Sequence, residues 1–464
     1  MSSLQQPKQK RSRCDSNNNV SAQNCNTPTN TNYINLLSLP DESLNNIISY
    51  SMPRNECQVW QWIGILSRIC RSFQRLAQTY APTRIVLTDF RYYSRLNSGG
   101  HRSVDVRVEF LRSLCDCSWK RQHLKEFHVN PKSVLRKQEN EESSYEECND
   151  IKTLLHTLIT TPSSFPELEW LDIEVQSNKI SNEYHLVDAE SLQVIPDALP
   201  ALIKLCLSGC FKSGTREISP HQLRQFFTNF QTPLNSLSLC GPEWMSDVHV
   251  KAIMPIIGER LMRLELVDCS TALNNESRLW NKRLLSDISI MSIGQHCKQL
   301  KSFSMVNSDI TSRGLEMVLR ANTSITALNL SLNRRLDTGA VDIISRYLPR
   351  LEVLRNYWSP NQDDWLNDDG LIALVDSQER ESGGSRIFLN LIGLLNLCDD
   401  EPQLTIRGMK YAIEKGLREI EIAGGELHNL IKDMESDVQL YQANYPHYID
   451  GSKYEREEKI SIIV

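Results

Sequence analysis

Long hydrophobic runs are missing from this 464-residue chain. A membrane span needs about 18 uninterrupted apolar residues. The longest greasy segment, Phe388 to Leu397, is broken by Asn390, Gly393 and Asn396, so no membrane association is expected. No apolar h-region stands at the N-terminus, and secretion is not expected either. The 13 cysteines are then expected as free thiols of a reducing compartment rather than as a disulfide framework. A basic excess is missing too: 51 Lys and Arg face 57 Asp and Glu, for a formal net charge of −6. A phosphate-backbone binder needs a clustered basic face, so no nucleic-acid partner is expected. What remains is an intracellular protein of the cytoplasm, the nucleus or both. Its 40% apolar and 23% charged residues leave ample material for a core. The length, about three times a ~150-residue domain, fits a few small domains or one elongated repeat array.

Recognisable reaction chemistry is equally scarce. Gly209 and Gly214 have the spacing of a P-loop, but Thr215 stands where the phosphate-binding lysine is required. A calcium loop using Asn367, Asp369 and Asp376 would have Trp365 as its first ligand, which fails. Cys115 and Cys117 have no second Cys or His pair at zinc spacing. His123 and His128 flank apolar Leu124 and Phe127 and read as packed or solvated histidines. No G-x-S-x-G elbow occurs. Neither catalysis nor a metal nor a cofactor is expected.

Residues 1 to 32 are dominated by Ser, Asn, Gln and Thr and bury too little to order, so this is expected to be a disordered polar tail. Lys8, Lys10, Arg11 and Arg13 read as scattered solubilising charge, with a weak nuclear-import patch as the other reading. Structure is expected from Ile34. Ser38 precedes Leu39-Pro40-Asp41-Glu42, which places proline and two acids in the first turn of a helix. Leu44, Ile47 and Ile48 follow at i, i+3, i+4 spacing. After Pro53 a second stripe runs through Trp62, Ile65, Leu66, Ile69, Phe73 and Leu76.

Leu39-Pro40-Asp41-Glu42 and Ile69-Cys70-Arg71-Ser72-Phe73-Gln74-Arg75-Leu76 resemble the opening and closing signatures of an F-box over residues 34–80. The stretch between them, with Asn55, Glu56, Trp60 and Trp62, departs from the family by being several residues longer. The resemblance implies a small helical module that docks on a Skp-type adaptor of a cullin-based ubiquitin ligase. It also implies adaptor-facing roles for Leu39, Pro40, Leu44, Ile47, Ile48, Ile69, Cys70 and Phe73, several of which are equally suited to the module's own core.

The rest of the chain is organised by an internal period. The pattern L-x-x-L-x-L-x-x-N/C occurs at Leu202-Leu205-Leu207-Cys210, at Leu261-Leu264-Leu266-Cys269 and at Ile325-Leu328-Leu330-Asn333. Weaker copies start at Leu124, Leu168, Leu234, Leu300, Leu351 and Leu417. Starts at 300, 325 and 351 lie 25 and 26 residues apart, and longer intervals mark inserted loops. Alternating apolar residues predict short strands that stack in parallel. Cys210, Cys269 and Asn333 are predicted at buried strand turns, each meeting backbone groups left unpaired as the chain leaves the strand. Helices are predicted behind the strands, as at 284–297, 310–315, 336–341, 366–371 and 404–409, with Ser, Thr or Asp as cap.

These units resemble the cysteine-containing subclass of leucine-rich repeats. An F-box followed by such repeats is the layout of the F-box/leucine-rich-repeat receptors. The expected fold class is therefore α/β: a short helical F-box at 34–80, a connector or N-terminal cap at 81–119, and a curved solenoid at 120–450. Its parallel strands are expected on the concave face and its helices on the convex face. Residues 451–464 read as a tail or a cap of the open end. The acidic stretch Glu139 to Glu147 reads as a solvated loop, with contact to a basic partner as the other reading. The resemblance implies a non-enzymatic substrate-recognition subunit of an SCF-type ubiquitin ligase, whose partners are a Skp-type adaptor, a cullin and a target protein. The alternative is a repeat scaffold unrelated to ubiquitination.

Overall fold

The computed structural model describes residues 84–87, 111, 114–115, 121–129, 153–174, 187–208, 210, 218–240, 244–267, 285–333, 335–357, 365–383, 387–395, 406–423, 439–442 and 460–463. All belong to the larger of two compact units, Arg54–Val464. The tail at 1–32 and the F-box-like segment at 34–80 lie outside the described residues.

Among the described residues thirteen strands form one sheet. They are β1 (Arg84–Leu87), β2 (Glu126–Val129), β3 (Trp170–Glu174), β4 (Lys204–Ser208), β5 (Ser236–Cys240), β6 (Arg263–Val267) and β7 (Ser302–Val306), followed by β8 (Ala327–Asn329), β9 (Val353–Tyr357), β10 (Leu391–Leu395), β11 (Glu419–Ala423), β12 (Gln439–Gln442) and β13 (Ile460–Ile463). From β1 to β11 every strand pairs in parallel with the next in the chain. Helices follow in alternation: α1 (Ser191–Ala198), α2 (Pro220–Thr228), α3 (Asp247–Ile257), α4 (Asp287–His296), α5 (Ser312–Ala321), α6 (Gly339–Tyr347), α7 (Asp368–Glu381) and α8 (Ile406–Glu414). Parallel neighbours need a crossover, and here each crossover is one repeat. This is the α/β architecture of a leucine-rich-repeat solenoid.

The register explains the period. Leu171, Leu205, Leu237, Leu264, Phe303, Leu328, Leu354 and Ile392 occupy one continuous inward row. The leading apolar residue of each unit, from Leu124 through Leu168, Leu202, Leu234, Leu261, Leu300, Ile325 and Leu351 to Leu417, is buried in the same core. Helix residues such as Phe226, Ile253, Ile293, Val318 and Ile344 close that core from the other side. A single repeat cannot bury its own apolar face, so the stacking supplies the stability.

The loops entering α4 and α5 are each held by the preceding repeat. Asp247 at the start of α3 accepts from the amide and hydroxyl of Ser286 (2.8 and 2.6 Å) and from the hydroxyl of Ser289 (2.6 Å). Asp287 at the start of α4 accepts in the same way from the amide and hydroxyl of Thr311, at 2.8 and 2.7 Å. Thr311 in turn caps α5 by accepting from the Gly314 amide at 3.2 Å. The Asn367 side chain caps α7 through the Gly370 amide at 2.8 Å, so the cap there is an asparagine rather than the expected Ser, Thr or Asp.

Three elements differ from the sequence expectation. In the sequence β10 reads only as an interrupted greasy segment, yet Leu389 and Ile392 are fully buried members of the array core. β1 adds a parallel strand ahead of the first predicted repeat, at 84–87. At the other end the sheet changes direction: β13, inside 451–464, pairs antiparallel with both β11 and β12.

Candidate functional site

The helices cover one face of the sheet, and the residues between the leucines point to the other. Across β2 to β8 the middle outward position reads His128, Asp172, Cys206, Ser238, Glu265, Ser304 and Asn329. The strand alternation that buries the leucines puts these residues on the face without a described helix. None of them belongs to the main core cluster.

Side-chain bonds run along this row. The His128 Nδ1 lies 3.3 Å from Asp172 Oδ2, and the ring sits edge-on to Trp170 at 4.4 Å between centroids. Lys204 holds its ammonium 4.3 Å above the Trp170 ring. Ser238 donates to Glu265 Oε2 at 2.9 Å, and Arg263 Nη2 lies 3.6 Å from the same oxygen. Ser304, beside Glu265 in register, is only 6% exposed, and its hydroxyl has no hydrogen-bond partner. Burial, then the Asp172 carboxylate, pushes the Cys206 thiol well above its ordinary range. Asp172 separates Cys206 from His128, so the row holds a neutral thiol and not an activated nucleophile. Among the described residues no group of three His, Cys, Asp or Glu side chains is arranged to hold a metal ion.

At the rim of this face Cys240, Val267 and Val306 form a second, small apolar cluster with Leu332 packed against it. Leu332 and Asn307 both have positive φ, +62° and +57°, where the chain turns out of the strands.

The turn positions lie at the strand ends. Asn333 is buried, and its Nδ2 donates to the carbonyls of Met305 (2.7 Å) and Leu330 (2.8 Å). Its Oδ1 accepts from the amide of Ser308 at 2.8 Å and from the Ser308 hydroxyl at 2.5 Å. Ser308 is the same position one repeat earlier. Cys210 is buried as well, and its thiol donates to the Ile173 and Ser208 carbonyls, both at 3.4 Å. Cys269, Leu39, Pro40, Leu44, Ile47, Ile48, Ile69, Cys70 and Phe73 lie outside the described residues.

The outward row was not singled out in the sequence. Its signal is the residue between the last two apolar positions of each L-x-x-L-x-L unit, and only aligning the units in register brings those residues together.

No family model matches the chain. No curated protein matches it either. Among solved structures it is similar to a chain in the crystal structure of the Rad7 and Elc1 complex in yeast, at 14% identity and a TM-score of 0.35, over 58% of this chain and 72% of that one. The fold assignment rests on the strand register and not on this likeness. Among the described residues no helix is long and apolar enough to cross a membrane.

Proposed function

We propose that this chain is the target-binding subunit of an SCF-type ubiquitin ligase, in which the segment 34–80 docks on a Skp-type adaptor and the sheet face holds the target. The observation that carries the target half is the outward row, polar and uncovered by described helices across β2 to β8. The adaptor half rests on the F-box-like motifs at 39–42 and 69–76.

The mechanism is positioning. A target held on the array stays at high effective concentration near a transfer site on a partner subunit, and the ubiquitin chemistry belongs to those partners. Leu39, Pro40, Leu44, Ile47, Ile48, Ile69, Cys70 and Phe73 are proposed as adaptor-facing. Cys210, Cys269 and Asn333 are proposed as structural turn residues that keep successive strands in register. The proposed boundaries are a polar tail at 1–32, the F-box-like module at 34–80, a connector at 81–119, repeats at 120–450 and a terminal segment at 451–464.

Co-purification tests the adaptor half. The full chain is expected to bring down a Skp-type adaptor and a cullin, and a chain with Leu39→Ala and Pro40→Ala is expected to lose both with an unchanged melting profile. Equal recovery with the two chains would remove the adaptor role and leave a repeat scaffold.

A further inference from the structure

We infer that the sheet face selects an extended target segment carrying two basic residues four positions apart, the first over Asp172 and the second over Glu265. The inference rests on the reading of this face as the target-holding surface.

From β2 to β8 the middle outward row reads His128, Asp172, Cys206, Ser238, Glu265, Ser304 and Asn329: two carboxylates and no lysine or arginine, with the His128 ring 3.3 Å from Asp172 Oδ2. The nearest cations in the adjoining outward row are drawn aside. Lys204 is over the Trp170 ring, and Arg263 reaches Glu265 only at 3.6 Å with more than half of its side chain exposed. An exposed pair of that kind is weak and yields readily to a better-placed cation. Beside Glu265, the buried Ser304 hydroxyl has no partner, while Ser238 already donates to the carboxylate. Ser238 and Ser304 are also the smallest side chains of the row, so a long basic side chain can approach Glu265 between them. A lysine or arginine there would supply the donor that the Ser304 oxygen lacks and the charge that Glu265 attracts.

The spacing follows from the register. Asp172 on β3 and Glu265 on β6 are three strand steps apart, roughly 14 Å at about 4.8 Å per step. A segment crossing the strands in extended form rises about 3.3 Å per residue, so four residues cover about 13 Å. Residues i and i+4 also project to the same side of an extended chain, whereas i and i+3 project to opposite sides. The two carboxylates disfavour a polyanion on this row, so the segment proposed is protein and not nucleic acid.

The test uses the full chain on an array of nonapeptides with two lysines, separated by two to five positions in a Ser-Thr-Val background. Binding is expected to peak at a separation of four and to be at least tenfold weaker at three. Glu265→Gln or Asp172→Asn should each weaken the best peptide at least tenfold with unchanged melting. Glu265→Lys should regain binding to a peptide with glutamate in place of the facing lysine. A flat response to separation, no binding, or unaffected variants would overturn the inference. Proximity labelling in cells separates this failure from failure of the underlying reading. If Ser302→Trp, which blocks the face, removes the labelled neighbours while Glu265→Gln and Asp172→Asn retain them, the face reading stands and the dibasic inference falls. If Ser302→Trp removes none, the face reading itself falls.

Discussion

The Asp287 carboxylate occupies the space that a side chain on Gly314 would need: a Cβ built there would lie 2.1 Å from Oδ1. The same carboxylate holds the amide and hydroxyl of Thr311, and Thr311 caps the helix that contains Gly314. Glycine at the third helical position is therefore a requirement of the neighbouring repeat, not of its own backbone. Asp368 crowds Gly408 in the same manner, with Oδ1 2.5 Å from a built Cβ. The apolar-Thr-x-x-Gly spacing shared by Ile310–Gly314 and Leu404–Gly408 is thus a record of two repeats meeting.

Gly314→Ala is expected to cost about 1–3 kcal/mol, the usual penalty of overpacking a filled site. Asp287→Ala should also destabilise by releasing Thr311, but the double variant should cost less than the sum by about 1 kcal/mol, because the clash is gone. A double-mutant cycle from urea melts measures this. Strict additivity would show that the two residues do not meet.

Asn333→Leu is expected to destabilise by about 3 kcal/mol or more, since it strands the Ser308 amide and the Met305 and Leu330 carbonyls at about 1–3 kcal/mol each. Cys210→Ser should be milder, about 1 kcal/mol, because a hydroxyl can donate to the Ile173 carbonyl as the thiol does. Thermal melts of both variants check the order of the two effects. An innocuous Asn333→Leu would contradict the role assigned to the turn.

Burial pushes the Cys297 thiol up to about 12, with the Lys298 charge opposing, and the thiol lies 3.7 Å from the Met254 sulfur. The folded state therefore keeps it protonated where the unfolded chain, at its ordinary 9.0, ionises. Its contribution to stability is complete below pH 9.0 and is lost as the pH rises toward about 12. Iodoacetamide at pH 8.5 should label Cys297 no faster than the protein unfolds, as read by peptide mass spectrometry. Rapid labelling of the native protein would place the thiol at the surface.

Much of the array was legible because each apolar position of L-x-x-L-x-L performs one local task, and the strands at Leu205, Leu264 and Leu328 follow directly. β10 carries the same spacing at Leu389, Ile392 and Leu394, but Phe388 and Leu391 fill the gaps between them and hide the alternation. The antiparallel pairing of β13 with β11 joins residues about 40 apart in sequence through no periodic signal, as Glu419 with Ile463 shows. The outward row escaped for a related reason. His128, Asp172, Cys206 and Glu265 share no residue type, and only the register makes them neighbours.

The helical side offers the rival surface, where Val248, Ile288 and Met291 are 59%, 55% and 50% exposed. Comparing the two sides tests the central claim most directly. Proximity labelling with the full chain should lose its specific neighbours when Ser302→Trp blocks the sheet face and keep them when Ile288→Asp alters the helices. Loss of those neighbours in Ile288→Asp with full retention in Ser302→Trp would place the target on the helices and contradict the account.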